Sequence, residues 1–242
     1  MARRLAAPRP HQPSHRPLSF TPALRPHNED VTDEAAAQAR RVMVAEQMRA
    51  RGIRDERVLA AMERVPRELF IPPESRAGAY EDHPVPIGYG QTISQPYIVA
   101  FMTEALRLEP QHRVLEIGTG CGYQTAVLAE LAAEIYSIEV IEPLAVRARA
   151  TLEELGYGNV RTRVGDGYAG WPEHAPFDRV IGAAAAEDVP PALVAQLAED
   201  GILVLPVGVF HQELQVLRRR GERLETLDTL PVRFVPMVRG AR

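Results

Sequence analysis

The sequence predicts an α/β fold in which a mostly parallel sheet carries helices on both faces and ends in a C-terminal antiparallel hairpin. Two observations support this prediction. Short apolar runs alternate with longer helix-type segments from residue 112 onward, and such alternation produces right-handed strand–helix–strand units. A turn with three glycines follows the first apolar run, as is typical where a buried parallel strand leads into a helix.

Composition and charge limit the possible partners. The 242 residues are 45% hydrophobic and 25% charged, which is ordinary for one globular domain. A net charge of −4 provides no basic field for nucleic acid. No apolar run approaches the roughly 20 residues that cross a bilayer, so we also expect no membrane partner.

Residue usage adds two exclusions. All 28 basic residues are arginine, so neither a lysine Schiff base nor a Walker-type phosphate loop is possible. Cys121 is the only cysteine, which excludes an intrachain disulfide and favours a reducing compartment. These features favour a cytoplasmic protein, which we expect to be a monomer.

The N-terminal residues differ in composition from the rest of the chain. Residues 1–30 are rich in proline, arginine and histidine and contain no acidic residue before Glu29, which predicts a disordered tail. We expect a single domain at 31–242. Helices and substrate-side loops occupy 31–94 of this domain, and the α/β core occupies 95–242.

Three helices are predicted before the first core strand. An apolar stripe runs along residues 32–51, and Gly52 is suited to end this helix. Asp55 is suited to cap a second helix that runs to Glu63. After a proline-bounded linker and a loop-rich stretch, a third helix is expected over 94–106.

The core elements then alternate between strand and helix. Two final segments, Glu213–Arg219 and Leu230–Val238, alternate polar and apolar residues on either side of Gly221 and predict a hairpin. The predicted core strands are 112–117, 134–139, 159–164, 177–183 and 201–206, and the predicted helices are 123–132, 142–155 and 189–198.

The glycine turn has a spacing that distinguishes cofactor classes. Gly118, Gly120 and Gly122 read G-x-G-x-G, whereas dinucleotide folds usually read G-x-G-x-x-G. Bare backbone lets a ligand approach closely, and the helix that follows offers its N-terminal amides to a polar group. Thr119 and Cys121 lie between the glycines. Cys121 is either a thiol activated by the helix N-terminus or, more simply, a small side chain that fits the turn.

Three acidic residues end successive strands of the predicted sheet. Glu116 lies within an apolar run and needs a polar partner, for which an ammonium group or an ordered water is suited. Glu139 lies 21 residues beyond the first glycine of the turn, where an acid accepts from both ribose hydroxyls or caps the next helix. Asp166, between two glycines, either accepts from an adenine amino group or makes a turn. Together the acids mark the edge where open α/β sheets bind ligands.

Several motifs occur together and in a fixed order. The most specific is Gly90-Gln-Thr-Ile-Ser-Gln-Pro-Tyr97, and the glycine turn with Gly122–Ala126 follows it. The others are Gly165–Gly167, Gly201–Gly208 and Val232–Pro236. From about residue 38 to 239 the chain resembles the protein-L-isoaspartate O-methyltransferase family. The glycine turn alone is similar to that of any S-adenosylmethionine-dependent methyltransferase.

This resemblance implies a Rossmann-like methyltransferase fold and a specific reaction. A methyl group passes from S-adenosylmethionine to the α-carboxylate of L-isoaspartyl residues in damaged proteins and peptides, leaving S-adenosylhomocysteine. The ester re-forms a succinimide, which can open to normal aspartate. The expected partners are therefore isoaspartyl-containing proteins.

The resemblance also implies site residues. It assigns Ser94 to catalysis as the group that orients the substrate carboxylate, although a serine just before Gln95-Pro96 is also a natural helix N-cap. The chain departs from the family pattern at Gly182, where a β-branched residue is common, and at Ala186-Glu187, where prolines often stand. The implied cofactor-binding residues are Glu116, Gly118, Thr119, Gly120, Cys121, Gly122, Glu139, Asp166 and Gly167, and the implied substrate-binding residues are Thr92, Ile93, Ala183, Ala184, Val207 and Gln212.

A second interpretation keeps S-adenosylmethionine and takes a small molecule or RNA as the methyl acceptor. RNA recognition normally uses a basic face with aromatic stacking groups, and 6% aromatic residues with a net charge of −4 give it little support. A nicotinamide-dependent reductase is disfavoured by the glycine spacing. An inert nucleotide-binding module would not need the Gln91–Pro96 segment.

Overall fold

The computed structural model describes the backbone of residues 27–240. Most of the tail predicted at 1–30 therefore lies outside the described residues. The first helix begins at His27, so the last residues of that predicted tail are helical. No helix within 27–240 is long and apolar enough to span a membrane.

The helices match the predicted order. Over 27–240 the α-helices are α1 (His27–Met43), α2 (Glu56–Arg64), α3 (Pro96–Ala105), α4 (Tyr123–Ala129), α5 (Glu142–Glu154) and α6 (Pro191–Gln196). A π-helical turn at Val44–Met48 and a 3₁₀ turn at Arg49–Arg51 extend α1, and further 3₁₀ turns lie at Arg67–Phe70, Pro73–Gly78, Gly167–Ala169 and Pro172–His174.

The strands form one large sheet and one small one. They are β1 (Val85–Gly88), β2 (Gln91–Ile93), β3 (Arg113–Ile117), β4 (Glu134–Glu139), β5 (Val160–Val164), β6 (Phe177–Gly182), β7 (Leu197–Val207), β8 (Gln212–Arg220) and β9 (Arg223–Val232). The large sheet has the order β5-β4-β3-β6-β7-β8-β9, and β1 pairs with β2 separately. Strands β3 to β7 pair in parallel, whereas β8 and β9 add antiparallel pairs. The predicted α/β class with a C-terminal hairpin is confirmed.

The strand order creates a crevice beside β3. The chain runs from β3 outward to β4 and β5, then returns to place β6 on the other side of β3. Ligands of open α/β sheets bind at the carboxyl ends of the strands where the order reverses in this way. The glycine turn directly follows β3 and therefore lies at that crevice.

Both faces of the parallel strands are buried. On β3, Val114 packs with Met102 and Leu128 on one face, whereas Leu115 packs with Phe177 and Leu193 on the other. Successive side chains of a strand point to opposite faces, so this division shows that helices and loops cover the sheet on both sides. The edge left accessible to a ligand is the row of strand ends.

Two predicted boundaries near the C-terminus were wrong. The second hairpin strand spans Arg223–Val232 rather than 230–238, because the residues after Val232 cross the sheet edge instead. There the Ala185 amide donates to the Val235 carbonyl at 2.8 Å, and the Met237 amide donates to the Ala185 carbonyl at 2.7 Å. The last core strand begins at Leu197, so the helix predicted to residue 198 ends earlier.

The predicted helix ends near the N-terminus have mixed outcomes. Gly52, with φ +102°, ends the first helical segment, and Asp55 caps α2 by accepting from the Arg57 amide at 2.9 Å, as predicted. The N-cap role considered for Ser94 was wrong, because α3 begins at Pro96 with Gln95 as its N-cap. A residue before proline is driven into extended conformation, so Gln95 cannot join the helix and Ser94 lies one residue too early.

Candidate functional site

A cavity of about 260 Å³ opens at the carboxyl ends of β3, β4 and β6. The last residues of β3 and β4 line it, and so does the turn after β6. Its other wall comes from the β1–β2 hairpin and from residues 235–238. Of the predicted site residues, those lining the cavity are Thr92, Ile93, Ser94, Gly118, Thr119, Gly120, Cys121, Glu139, Gly167, Ala183 and Ala184.

The glycine turn holds a backbone that ordinary residues disfavour. Gly118, Gly120 and Gly122 have φ values of +91°, +56° and +91°, in the left-handed region that favours glycine. Gly118 and Gly120 line the cavity, whereas Gly122 forms the N-cap of α4 behind them. At Gly122 a Cβ would lie 3.3 Å from Leu152 Cδ1 on α5, so this glycine also lets the helices pack closely.

Glu139 has its carboxylate fixed at the cavity. It is 5% exposed, and its Oε2 accepts from the Gly120 amide at 2.7 Å while Oε1 accepts from the Ile141 amide at 3.0 Å. Each carboxylate oxygen keeps a further lone pair, so the side chain can still accept from two hydroxyls of a diol. The first bond also ties the glycine turn to the end of β4.

Glu116 lies behind the cavity wall rather than on it. Its side chain is fully buried, and Oε2 accepts from the hydroxyls of Thr125 at 2.5 Å and Ser137 at 2.6 Å. The Ser137 hydroxyl is also 2.6 Å from that of Thr119, which does line the cavity. Burial raises the pKa of Glu116 to about 7, although the two hydroxyl donors act in the opposite direction. Two hydroxyls thus take the place of the ammonium group or water expected from the sequence.

Asp166 also points its carboxylate away from the cavity lining. Its Oδ1 accepts from the Tyr168 amide at 2.9 Å and caps the 3₁₀ turn, while Oδ2 accepts from the Gly240 amide at 3.2 Å. This is the turn interpretation of Gly-Asp-Gly. The neighbouring Gly167 does line the cavity, and a Cβ there would lie 2.3 Å from Ile117 Cγ2, so no side chain fits.

Cys121 lies on the cavity wall as a buried thiol. It is 5% exposed, and burial raises the pKa of its thiol above the usual range. A raised pKa keeps the sulfur protonated at neutral pH, which is the opposite of an activated nucleophile. The geometry favours the simpler interpretation of a small side chain that fits the turn.

Ser94 lies where the cavity meets a second groove. This groove is lined by Pro84, Gln95, Ile98 and residues 231–235, and Thr92, Ser94 and Ala183 line both spaces. No side chain caps α3 at this point, so the Ser94 hydroxyl is not used as a helix cap. A ligand in the groove could therefore reach one in the cavity beside Ser94.

Val207 and Gln212 line neither space, and of the two Gln212 is hydrogen-bonded to a residue of the groove wall. The Gln212 side chain donates to the Phe234 carbonyl at 3.1 Å and accepts from the Phe234 amide at 2.6 Å. Val207 is bridged to Ala186, where the Gly208 amide donates to the Ala186 carbonyl at 2.8 Å. Gln212 thus fixes the segment that forms the groove wall.

Several residues at the site were missed from the sequence. Tyr123, Gln124 and residues 235–238 line the cavity, and no local pattern marks them as ligand-facing. Arg67 lies in the proline-bounded linker at Val65–Pro73, yet its guanidinium is fully buried and donates to the Ser94 carbonyl at 2.8 Å. Arginine is usually exposed, so its burial could not be inferred from residue type.

Comparison with known proteins gives consistent matches over most of the chain. The model of the protein-L-isoaspartate(D-aspartate) O-methyltransferase family matches residues 38–242. A protein-L-isoaspartate O-methyltransferase of Opitutus terrae is 56% identical over 209 residues, which cover 86% of this chain and 90% of the relative. The protein-L-isoaspartate O-methyltransferase 1 of Anaeromyxobacter sp. strain Fw109-5 is 60% identical over 78% of this chain and 91% of its own length.

Solved structures are similar as well. A protein-L-isoaspartate O-methyltransferase superposes with a TM-score of 0.73 and 27% identity, and the match spans 83% of this chain and 65% of that one. A Plasmodium falciparum protein described as a putative protein-L-isoaspartate O-methyltransferase, in complex with S-adenosyl-L-homocysteine, has a TM-score of 0.71 and 24% identity. That match covers 83% of this chain and 99% of the other, and at this identity it supports the fold.

Proposed function

The chain belongs to the protein-L-isoaspartate O-methyltransferase family, and we propose that Ser94 orients the α-carboxylate of an L-isoaspartyl residue for methylation from S-adenosylmethionine. The observation that carries this proposal is the position of Ser94 at the junction of the cavity and the groove. The alternative of a small-molecule or RNA acceptor is not favoured by the family match. A cytoplasmic location and a monomeric state stay predictions.

The cavity fits a nucleoside-bearing cofactor. Glycine is required at Gly167 because a Cβ would lie 2.3 Å from Ile117 Cγ2, which leaves bare backbone where a flat ring can approach. The carboxylate of Glu139, fixed by the Gly120 and Ile141 amides, would accept from the ribose hydroxyls. Glu116 acts indirectly, since its bonds to Ser137 and onward to Thr119 hold the glycine turn. Asp166 holds its own turn so that Gly167 faces the cavity.

The reaction needs positioning more than acid–base catalysis. S-adenosylmethionine supplies a methyl group already activated on a sulfonium. An α-carboxylate has a pKa near ~3.5, so it is an ionised nucleophile at neutral pH without a base. Ser94 donates a hydrogen bond that fixes one carboxylate oxygen, which leaves the other free to attack. Holding two reactants in line can lower a barrier by roughly 7–11 kcal/mol, which makes such orientation the main contribution of the protein.

The groove suits an extended peptide. Ala183 lines both spaces and Ala184 lines the cavity alone, and their small side chains let a substrate backbone approach the end of β6 closely. Residues 231–235 form the opposite wall and are held by Gln212. A protein segment bound there brings its isoaspartyl carboxylate to Ser94.

The substrate assignment is tested with paired peptides. The full chain is incubated with radiolabelled S-adenosylmethionine and two peptides that differ only in aspartyl versus isoaspartyl linkage at one position. We expect base-labile label in the isoaspartyl peptide alone, and none when its α-carboxylate is replaced by a carboxamide. Equal labelling of both peptides, or of neither, would contradict the proposal.

A further inference from the structure

Arg67 is a buried cation without an anionic partner. Its side chain is fully buried, and its guanidinium forms no ion pair with any residue whose side chain the structure describes. Burial lowers the pKa of Arg67 below its usual value, as expected for a desolvated cation. Because arginine stays protonated in proteins, the positive charge remains inside the molecule. Buried charges are usually paired, so this exception needs a reason.

The contacts of Arg67 lead directly to the site. Its Nε donates to the Ala79 carbonyl at 2.7 Å, and its Nη2 donates to the Ser94 carbonyl at 2.8 Å. The guanidinium carbon lies 4.8 Å from the centre of the Tyr123 ring. Ser94 and Tyr123 both line the cavity, whereas Nη1 has no hydrogen-bond partner. The charge therefore lies one residue layer behind the junction of cavity and groove.

This placement matches the chemistry of the reaction. The methyl acceptor is an anion before transfer and a neutral ester afterwards. A buried positive charge is only weakly screened by solvent, so it favours the anionic substrate over the neutral product. The bond to the Ser94 carbonyl also fixes the peptide that carries the orienting hydroxyl.

We propose that Arg67 is a positioning residue for the methyl acceptor, which fixes the Ser94 peptide and makes the junction of cavity and groove selective for a carboxylate. The inference rests on the proposed role of Ser94. The methionine part of the cofactor also carries a carboxylate, and Tyr123, which Arg67 contacts, lines the cavity alone. The bond to the Ser94 carbonyl is the observation that points to the acceptor. Cofactor binding is therefore measured separately.

The test compares two replacements of Arg67 with two at a matched arginine. Arg67→Lys keeps the charge and loses the forked contact, whereas Arg67→Met removes both. Arg179 is the control, because its guanidinium also donates to backbone carbonyls, three against the two of Arg67, but none of these carbonyls belongs to a residue that lines either space. For each variant, kcat and KM are measured with the isoaspartyl peptide, and inhibition is measured with the same peptide bearing an α-carboxamide. Calorimetry gives the Kd of S-adenosylhomocysteine.

We expect a distinct pattern for each variant. Arg67→Met lowers kcat/KM at least 100-fold and removes the preference for the acidic peptide over its carboxamide. Arg67→Lys lowers kcat about tenfold and keeps that preference. Both Arg67 variants leave the Kd of S-adenosylhomocysteine within threefold of the wild-type value. Arg179→Lys and Arg179→Met leave kcat/KM, the preference for the acidic peptide and this Kd within threefold. Equal weakening of acid and carboxamide peptides by Arg67→Met would overturn the proposal, as would weakening of S-adenosylhomocysteine by as much as the peptide.

A double-mutant cycle covers the case in which Arg67→Met does not fold. If Arg67 acts through Ser94, Arg67→Lys should change kcat less than threefold in a Ser94→Ala background. A full tenfold loss in both backgrounds would overturn the positioning role. Ser94→Ala alone reports on the proposed function, so failure of that role and failure of the Arg67 inference give different results.

Discussion

The Ser94 hydroxyl caps no helix, so its role in orienting the substrate can be tested by removing the hydroxyl. Since Gln95 rather than Ser94 is the N-cap of α3, Ser94→Ala should change the free energy of unfolding by less than about 0.5 kcal/mol. A hydrogen bond to a charged group is worth about 1.5–3 kcal/mol, so kcat/KM for the isoaspartyl peptide should fall roughly 10- to 100-fold. Ser75→Ala, on a 3₁₀ turn outside both spaces, is the control. Unchanged kinetics for Ser94→Ala would show that the residue does not orient the substrate.

Glu116 should make the stability of the protein depend on pH. Its pKa is raised by burial from 4.5 to about 7, so the folded state binds the proton more tightly than the unfolded state. The stability that the protonated side chain contributes is complete below pH 4.5 and is lost as the pH rises through about 7. The difference between the two pKa values corresponds to roughly 3 kcal/mol in the free energy of unfolding, at about 1.36 kcal/mol per pKa unit.

Glu116→Gln isolates this contribution because glutamine does not titrate. Urea unfolding of both proteins at pH 5, 6, 7 and 8 should show the wild type losing roughly 1–3 kcal/mol relative to the variant as the pH rises. A constant difference in stability caused by the altered hydrogen bonds does not affect how the free energy of unfolding changes with pH. Parallel pH curves for the two proteins would mean that Glu116 is ionised throughout.

Among the elements, β6 and β7 show why residue 182 is a glycine. A Cβ at Gly182 would lie 2.3 Å from Cδ1 of Leu205. Leu205 is fully buried on the neighbouring strand, so it fills the space that a larger residue at 182 would occupy. A larger side chain at position 182 therefore requires a smaller one at position 205 on the neighbouring strand.

Because the two positions share one space, we expect that the effects of substitutions at residues 182 and 205 on the free energy of unfolding do not add. Gly182→Val should destabilise the protein by about 1–3 kcal/mol through overpacking, and Leu205→Ala by about 2–5 kcal/mol through a cavity. The double variant should be more stable than the sum of the two losses predicts, by at least about 1 kcal/mol. Urea unfolding of the three variants measures this. Simple additivity of the two losses would mean that Leu205 moves aside without cost. Gly118 to Gly122 are left unaltered in all three variants, so that the cofactor turn serves as the reference for an intact site.

The element order was predictable from the sequence, whereas several side-chain roles were not. Strand–helix alternation and the glycine spacing are local patterns, and the structure confirms the elements they predict. Glu116 and Asp166 take partners that are distant in sequence: Ser137 for the first and Gly240 for the second. No local pattern indicates such pairs. The N-cap alternative for Ser94 was wrong for a local reason, namely the effect of Pro96 on Gln95.

At the scale of the whole molecule, the C-terminal segment after Val232 closes the site. Residues 231–235 line the groove and 235–238 line the cavity, so this one segment forms a wall of both spaces. It is tied to the sheet edge by backbone bonds between Ala185 and residues 235 and 237, and by the paired bonds of Gln212 with Phe234. The hairpin that precedes it belongs to the sheet and does not depend on these contacts.

Ending the chain after Val232 should therefore separate folding from function. Loss of the six hydrogen bonds that these residues make with the rest of the described chain, at about 1 kcal/mol each, lowers Tm by roughly 10–20 °C for a chain of this size, while the sheet stays folded. We expect the Kd of S-adenosylhomocysteine to rise at least tenfold and methylation of the isoaspartyl peptide to fall at least 100-fold. Removal of residues 241–242 alone is the control and should change neither. Retained methylation in a folded chain that ends at Val232 would show that the cavity and groove function without this wall.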